Sequence, residues 1–157
     1  MDQEVLNEEN YELKPIKFDN EMQVEFDSLS RNENFARTVV AAFVSQLNPT
    51  LEEIADIKTA VSEAVTNSII HGYKNKVGKV WMHCAIHKMN VYIEVVDHGV
   101  GIEDVERAME PLFTTCPEME RSGMGFAFMS AFMDELEVMS KKNEGTTVKM
   151  RKRIGTT

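Results

Sequence analysis

Two neighbouring segments of the chain alternate between apolar and polar residues, and this alternation constrains the fold more than any other feature. The segments are 79–87 and 91–97, with a short turn at 88–90 between them. Such alternation is typical of strands with one buried face, so the two segments predict an antiparallel hairpin. We expect the more aliphatic set to pack under helices: Val80, Met82, Cys84, Ile86, Val91, Ile93 and Val95.

A first helix is predicted ahead of this hairpin, after a short strand at 22–26. Ser30 and Glu33 have the spacing of a capping box, which marks a helix start. Apolar residues then recur at helical intervals, and Asn48-Pro49 ends the pattern. The residues expected to face the core are Phe35, Val39, Phe43 and Leu47.

A second helix follows directly. Thr50 and Glu53 form another capping-box pattern, and Gly72 is placed as the C-terminal stop. The apolar stripe of this helix comprises Ile54, Ile57, Val61, Val65 and Ile69.

The second half of the chain predicts a short helix at 102–109, a helix at 125–134, and strands at 136–140 and 146–152 joined by a turn at 143–145. Helices interspersed with antiparallel strands predict an α+β fold, a two-layer sandwich with helices on one face of a mixed, mostly antiparallel sheet. We expect one domain over 21–153. Residues 1–20 are acidic and lack periodicity, so they are predicted to be a mobile arm, with an expression artefact or a partner-binding tail as alternatives.

Charge and cysteine usage exclude several classes of protein. The net charge is −9, and residues 1–27 contribute nine acids against two lysines. Apart from a short cluster at 149–153, no basic footprint for nucleic acid is present, so direct nucleic-acid binding is not expected. Cys84 fits the core and Cys116 a loop, and their spacing matches no metal site. No apolar stretch approaches the length of a membrane span, and the sequence does not open with the apolar region of a signal peptide. These features predict a cytoplasmic protein.

Three polar clusters carry the functional signal. Glu63, Asn67 and His71 lie four residues apart and so share a helix face. Asp97 ends an apolar strand, and a carboxylate buried there needs a partner. Gly99 and Gly101 follow it closely in the sequence. The third cluster opens a predicted helix and comprises Arg121, Ser122, Gly123, Met124 and Gly125. Each cluster alone has an ordinary alternative, namely a solvated polar stripe or a turn, but all three in this order favour a nucleotide pocket.

These clusters stand in motifs that resemble a known superfamily. SEAVTNSIIHGY resembles the N-box of the gyrase, Hsp90, histidine kinase and MutL ATPases, DHGVGI the first glycine box, and RSGMGFAFM the second. More narrowly, the chain from about residue 22 to 151 resembles the sporulation anti-sigma F factor family of serine kinases. The resemblance implies the Bergerat-type ATP-binding fold, ATP and Mg²⁺ as cofactors, and phosphorylation of a protein serine.

The resemblance also implies roles for individual residues. Glu63 is implied as the general base, Asn67 as the Mg²⁺ ligand, Asp97 as the acceptor for the adenine amine, and Arg37 as a docking residue for protein partners. Residues 114–121 would form a lid over the triphosphate. The remaining nucleotide-binding residues implied by position are Gly99, Gly101, Thr114, Thr115, Arg121, Ser122, Gly123, Met124, Gly125, Phe126 and Thr147.

Two positions depart from the family pattern. His98 stands where the family has glutamate, at a position expected on the pocket rim, and Cys116 replaces a lysine of the lid. The implied partners are a sporulation sigma factor, an anti-anti-sigma protein as substrate, and a second copy of the chain. Trp81, Tyr92 and Val96 fall on the sheet face away from the helices, which fits a homodimer, unless the arm or a loop covers this face. A binder without turnover is the alternative to a kinase, and Glu63 argues against it.

Overall fold

The structure is a computed structural model that describes residues 17–74, 76–110 and 125–155. Within these ranges one sheet is formed by β1 (Asn20–Asp27), β2 (Lys79–His87), β3 (Asn90–Asp97), β4 (Glu135–Lys141) and β5 (Gly145–Arg153). The strand order is β1-β2-β3-β5-β4, and each of these four pairings is antiparallel. The α+β architecture is confirmed, although the described strands include no parallel pair of the kind that a mixed sheet implies.

The helices are α1 (Asn32–Val44), α2 (Leu51–Asn67), α3 (Val105–Ala108) and α4 (Gly125–Phe132). A 3₁₀ turn, Ser45–Leu47, follows α1, and α2 continues into a π-helical turn, Ser68–Gly72. Buried residues of α1, α2 and α4 form a single core with the inner face of the sheet. The structure thus has the predicted two layers, and none of the helices in the described ranges is long and apolar enough to span a membrane.

The start of α2 is capped as predicted. The Glu53 N–H donates to Thr50 Oγ1 at 3.1 Å, and the Thr50 N–H donates to Glu53 Oε1 at 2.9 Å. This reciprocal pair satisfies two N–H groups that a helix start leaves without intrahelical partners. The Thr50 N–H and the Gly155 N–H are also the main causes that lower the pKa of the Glu53 carboxyl.

The capping box predicted at the start of α1 is wrong. The N-cap residue is Arg31, whose side chain makes no capping bond. The Glu33 carboxylate instead accepts hydrogen bonds from the hydroxyls of Ser62 and Thr66 on α2. Because the Glu33 carboxylate binds two hydroxyls of the neighbouring helix, it does not cap the backbone at the start of α1.

The buried stripe of α1 is displaced by one residue from the predicted one. Ala36, Val40 and Val44 are fully buried, whereas Phe35 is 45% exposed. Small side chains on this stripe allow α1 to lie close to α2, and the larger ones (Val39, Phe43 and Leu47) pack at its margin. On α2 the prediction holds for Ile57, Val61, Val65 and Ile69, which are buried, and Ile54 is partly buried.

The two faces of the hairpin differ as predicted. The aliphatic set of β2 and β3 is buried under the helices, and burial raises the pKa of the Cys84 thiol to about 12. On the outer face Phe18 packs against Tyr92 with ring centroids 5.5 Å apart, and Ala85, opposite Tyr92, is fully buried. The end of the predicted arm therefore already covers part of this face. Residues 1–16 lie outside the described residues.

Candidate nucleotide-binding site

A cavity of about 610 Å³ opens between α2, the end of β3, the start of β5 and the start of α4. Its walls come from four parts of the chain: the end of α2 with the π turn, the segment that runs from the end of β3 through α3, the first residues of α4, and the β4–β5 turn with β5. The residues that matter most to its chemistry are Asn67, Ser68, His71, Asp97, Thr146 and Gly125. Residues that are distant in the sequence therefore meet in one space.

Asp97 is the buried charge of this cavity. It ends β3 on the inner face and is only 3% exposed. Its Oδ2 accepts from the Ser68 hydroxyl at 2.9 Å, and its Oδ1 accepts from the Gly99 N–H at 2.9 Å. Burial raises the pKa of the Asp97 carboxyl, and these hydrogen bonds oppose the rise. The sequence-based argument that this carboxylate needs partners is correct, and Ser68 is a partner that it missed.

The glycines of the loop after β3 are required by close backbone approaches. A Cβ on Gly99 would lie 2.1 Å from the carbonyl oxygen of Gly72, and a Cβ on Gly101, whose φ is +77°, would lie 1.9 Å from the carbonyl oxygen of Lys141. The Val100 N–H donates to the Gly72 carbonyl at 2.8 Å. The loop is thereby held between the π turn and the β4–β5 turn, so Gly101 lines the cavity as backbone.

Asn67 and His71 line the cavity, and Glu63 does not, as far as the described residues define its lining. Glu63 is half-buried one helical turn before Asn67. The Asn67 Nδ2 is buried and has no hydrogen-bond partner among the described residues. A buried amide donor without a partner is costly, and an acceptor that enters the cavity would satisfy it.

The third polar cluster falls largely outside the described residues. Gly125 and Phe126 begin α4 and line the cavity. The other nucleotide-binding residues that the resemblance implies in this part of the chain lie beyond the described ranges, namely Thr114, Thr115, Arg121, Ser122, Gly123 and Met124. Arg37 lies half-buried on α1 and is not part of the described lining.

Thr147, which the resemblance implies as a nucleotide-binding residue, is not part of the described lining of the cavity. Successive residues of a strand point to opposite faces, and it is Thr146, opposite Asp97 in the register, that lines the cavity. The Thr146 hydroxyl is 2.8 Å from the Ser140 hydroxyl, which also accepts from the Ile102 N–H. Counting from Asp97, whose side chain must face inward, would have identified Thr146.

His98 is not on the pocket rim either. It follows Asp97, so its side chain points to the outer face, where the ring lies 4.6 Å from the ring of Trp81. The departure from the family glutamate therefore lies outside the described cavity lining. The sequence also did not reveal the basic residues of the lining, which are Lys74, Arg107 and Lys142.

Comparison with known proteins identifies the family. Residues 27–152 match the family model described as a histidine kinase-like ATPase domain. The chain is 61% identical over 140 residues to the anti-sigma F factor of Thermoanaerobacter sp. strain X514, covering 89% of this chain and 98% of that protein. The anti-sigma F factor of Clostridium kluyveri is 58% identical over 135 residues, with 86% and 95% covered. The chain belongs to the anti-sigma F factor family.

A solved structure agrees with this assignment at the level of the fold. The structure of the RsbU and RsbW domains of a Mycobacterium tuberculosis protein superimposes with a TM-score of 0.63 at 22% identity, covering 86% of this chain and 32% of that one. The resemblance drawn from the three motifs is thus confirmed. As a member of a histidine kinase-like ATPase family, the chain carries an ATP-binding domain.

Proposed function

We propose that this protein is a cytoplasmic anti-sigma factor that binds a sporulation sigma factor and uses ATP-Mg to phosphorylate a serine of an anti-anti-sigma partner. The names of the relatives support the first activity, since each is called an anti-sigma F factor at about 60% identity. The observation that carries the second is the shared cavity, in which a buried carboxylate and a buried amide without a partner among the described residues face the same space.

The Asp97 end of the cavity suits the adenine. An ionised carboxylate only accepts hydrogen bonds, and the exocyclic amine of adenine donates them. Gly101 lines the cavity as backbone, and the Gly99 N–H holds Oδ1 of Asp97. We assign the binding of adenine to Asp97, Gly99, Gly101, Ser68 and Thr146.

The Asn67 end of the cavity suits the triphosphate. The first N–H groups of α4, at Gly125 and Phe126, lie at a helix start, where anions are favoured. In the present orientation of the Asn67 side chain, Nδ2 would donate to a phosphate oxygen. If the side-chain amide flips, Oδ1 faces the cavity and can bind a metal ion instead. The described residues include no group of three His, Cys, Asp or Glu able to hold a metal, so a magnesium ion would rely on Asn67 and the phosphates. Bound magnesium would neutralise charge on the transferring phosphoryl group.

Glu63 is the proposed general base. It lies on α2 one turn before Asn67 and therefore shares a helix face with it. The serine hydroxyl of the partner attacks the γ-phosphorus, a new O–P bond forms as the bond to ADP breaks, and Glu63 accepts the hydroxyl proton. Residues 114–121 are proposed to close over the triphosphate.

The protein partners are assigned to two surfaces. Arg37 on α1 is proposed to dock the sigma factor and its antagonist. A homodimer is proposed through the outer sheet face, where neighbouring strands align Trp81, Val96, Thr147 and Met139 in one row. Met139 is 41% exposed at the end of this row, beyond the part that Phe18 covers.

The experiment that tests the kinase assignment compares two glutamates of α2. Glu63→Gln should abolish phosphorylation of the anti-anti-sigma protein by labelled ATP-Mg and leave nucleotide affinity within about twofold, since the base acts on the hydroxyl and not on ATP. Glu52→Gln, an exposed position in the first turn of α2, is the matched control and should behave as wild type. Wild-type phosphorylation by Glu63→Gln would contradict the base assignment. A wild-type protein that binds ATP and sigma factor without any transfer would establish a non-catalytic binder.

A further inference from the structure

Tyr73 ties together three segments around the base end of the cavity. It directly follows the π turn, and its hydroxyl accepts a hydrogen bond from the His98 N–H at 2.8 Å. The same hydroxyl donates to the carbonyl oxygen of Lys79 at the start of β2. One side chain thus connects the end of the π turn, the first residue of β2 and the loop that follows Asp97.

The ring of Tyr73 rests on a backbone that is itself anchored. A Cβ on Gly78 would lie 2.4 Å from Cε1 of Tyr73, so the ring lies directly against this glycine. The Ser28 hydroxyl accepts from the Gly78 N–H at 2.9 Å and donates to the Lys76 carbonyl at 3.0 Å. The tyrosine hydroxyl therefore has a defined position from which to hold His98.

The link from His98 to the carboxylate is short. His98 lies between Asp97 and Gly99, whose N–H fixes Oδ1 of that carboxylate. Gly99 in turn packs on the carbonyl group of Gly72, the residue before Tyr73. The Tyr73 hydroxyl and the Gly72 carbonyl thus fix successive residues, His98, Gly99 and Val100, from the same side.

We propose that Tyr73 is a positioning residue for adenine recognition, which orients the Asp97 carboxylate by holding the backbone of His98 and Gly99. This inference rests on the proposed use of the cavity for ATP. Tyr73 does not line the cavity as the described residues define it, so it acts on the adenine only through Asp97. Its loss should accordingly weaken recognition of the 6-amino group and spare the sugar and phosphates.

The test compares Tyr73→Phe with Tyr92→Phe, a tyrosine of the outer face, and measures affinity for ATP and for purine riboside triphosphate, which lacks the 6-amino group. Tyr73→Phe keeps the ring on Gly78 and removes only the hydroxyl. We expect it to bind ATP about tenfold more weakly and the analogue within about twofold of wild type, because a backbone N–H loses its partner beside the carboxylate. Tyr92→Phe should bind both nucleotides as wild type does.

Three results would overturn the inference. An unchanged ratio of the two affinities in Tyr73→Phe, whether both nucleotides bind more weakly or neither does, would overturn it while leaving the proposed function intact. Wild-type protein that fails to bind ATP would overturn both. Amide hydrogen exchange of the wild type gives a second measurement that does not depend on a variant. The His98 N–H should be protected, and exchange at the rate of an open peptide would show that the Tyr73 contact does not hold it.

Discussion

Replacing Asp97 by asparagine should separate stability from nucleotide binding. In the folded protein Oδ1 accepts from the Gly99 N–H, which the side-chain carbonyl of the variant could still do. The Ser68 hydroxyl donates to Oδ2 in the wild type, and it can rotate to accept from the new amide N–H. These two contacts can therefore survive the change, and the variant side chain offers a hydrogen-bond donor to the cavity where the carboxylate offers only acceptors.

The magnitude for binding follows from counting acceptor positions. A carboxylate has about four lone-pair positions, and the Ser68 hydroxyl, the Gly99 N–H and the Thr146 backbone use three of those on Asp97. One remains for the adenine amine. A hydrogen bond to a charged group is worth about 1.5–3 kcal/mol, so its loss predicts roughly a 10-fold to 150-fold weaker affinity for ATP. The amide N–H would in addition oppose the adenine amine, donor against donor.

The expected effect on stability has the opposite sign and depends on pH. Burial raises the pKa of Asp97 above its ordinary value of 3.8, so the ionised carboxylate destabilises the folded state at neutral pH. The stabilising contribution of Asp97 is complete at low pH and is lost as the pH rises through the raised pKa. Asp97→Asn does not titrate, so its melting temperature relative to wild type should increase as the pH is raised from below 3.8 to about 7.

Calorimetric titration with ATP and thermal unfolding across this pH range test both parts. Asp27→Asn, which changes a surface aspartate paired with Lys79, is the control and should leave the nucleotide affinity unchanged. ATP affinity within twofold of wild type for Asp97→Asn would refute the assignment of Asp97 to the adenine. A variant that is less stable than wild type at neutral pH would refute the argument that burial of its charge is costly.

Two further outcomes are expected. Gly99→Ala should lower the free energy of unfolding by about 1–3 kcal/mol and weaken ATP binding, because the new methyl group would meet the Gly72 carbonyl, and urea unfolding with and without ATP measures both. Trp81→Glu should give a monomer that still binds ATP, because the cavity lies on the helix side of the sheet, and sedimentation at the wild-type rate would place the dimer interface elsewhere.

The sheet and α2 could be predicted from the sequence because each buries one face with a regular period. In β2 and β3 the aliphatic alternation continues up to Asp97, so the strand pattern also places this buried carboxylate on the inner face. In α2 the apolar stripe and the Thr50 cap agree with each other, and both are confirmed. Where local pattern and tertiary packing require the same arrangement, the pattern is sufficient.

The errors on α1 arise where tertiary packing selects among local patterns. Two stripes of α1 are apolar, and the sequence favours the one with larger side chains. Packing against α2 selects the smaller one, with Ala36 at its start, because it permits a closer approach. The same packing gives Glu33 the hydroxyls of Ser62 and Thr66 as partners, which removes it from the predicted capping box. Neither the buried stripe of α1 nor the partners of Glu33 can be predicted from the sequence of α1 alone, because both depend on packing against α2.

The π turn is the feature that sequence spacing could not supply, and it shapes the candidate site. The Tyr73 N–H donates to the Ser68 carbonyl, five residues back, at 2.9 Å, where an α-helix would use a spacing of four. Gly72 is the last residue of this turn, so its carbonyl has no partner within the helix and accepts from the Val100 N–H, and it also supports Gly99. The turn also places Ser68 on Asp97 while Asn67 and His71 still face the cavity. The end of the π turn is therefore the point at which α2 contacts the glycine loop, and both line the cavity.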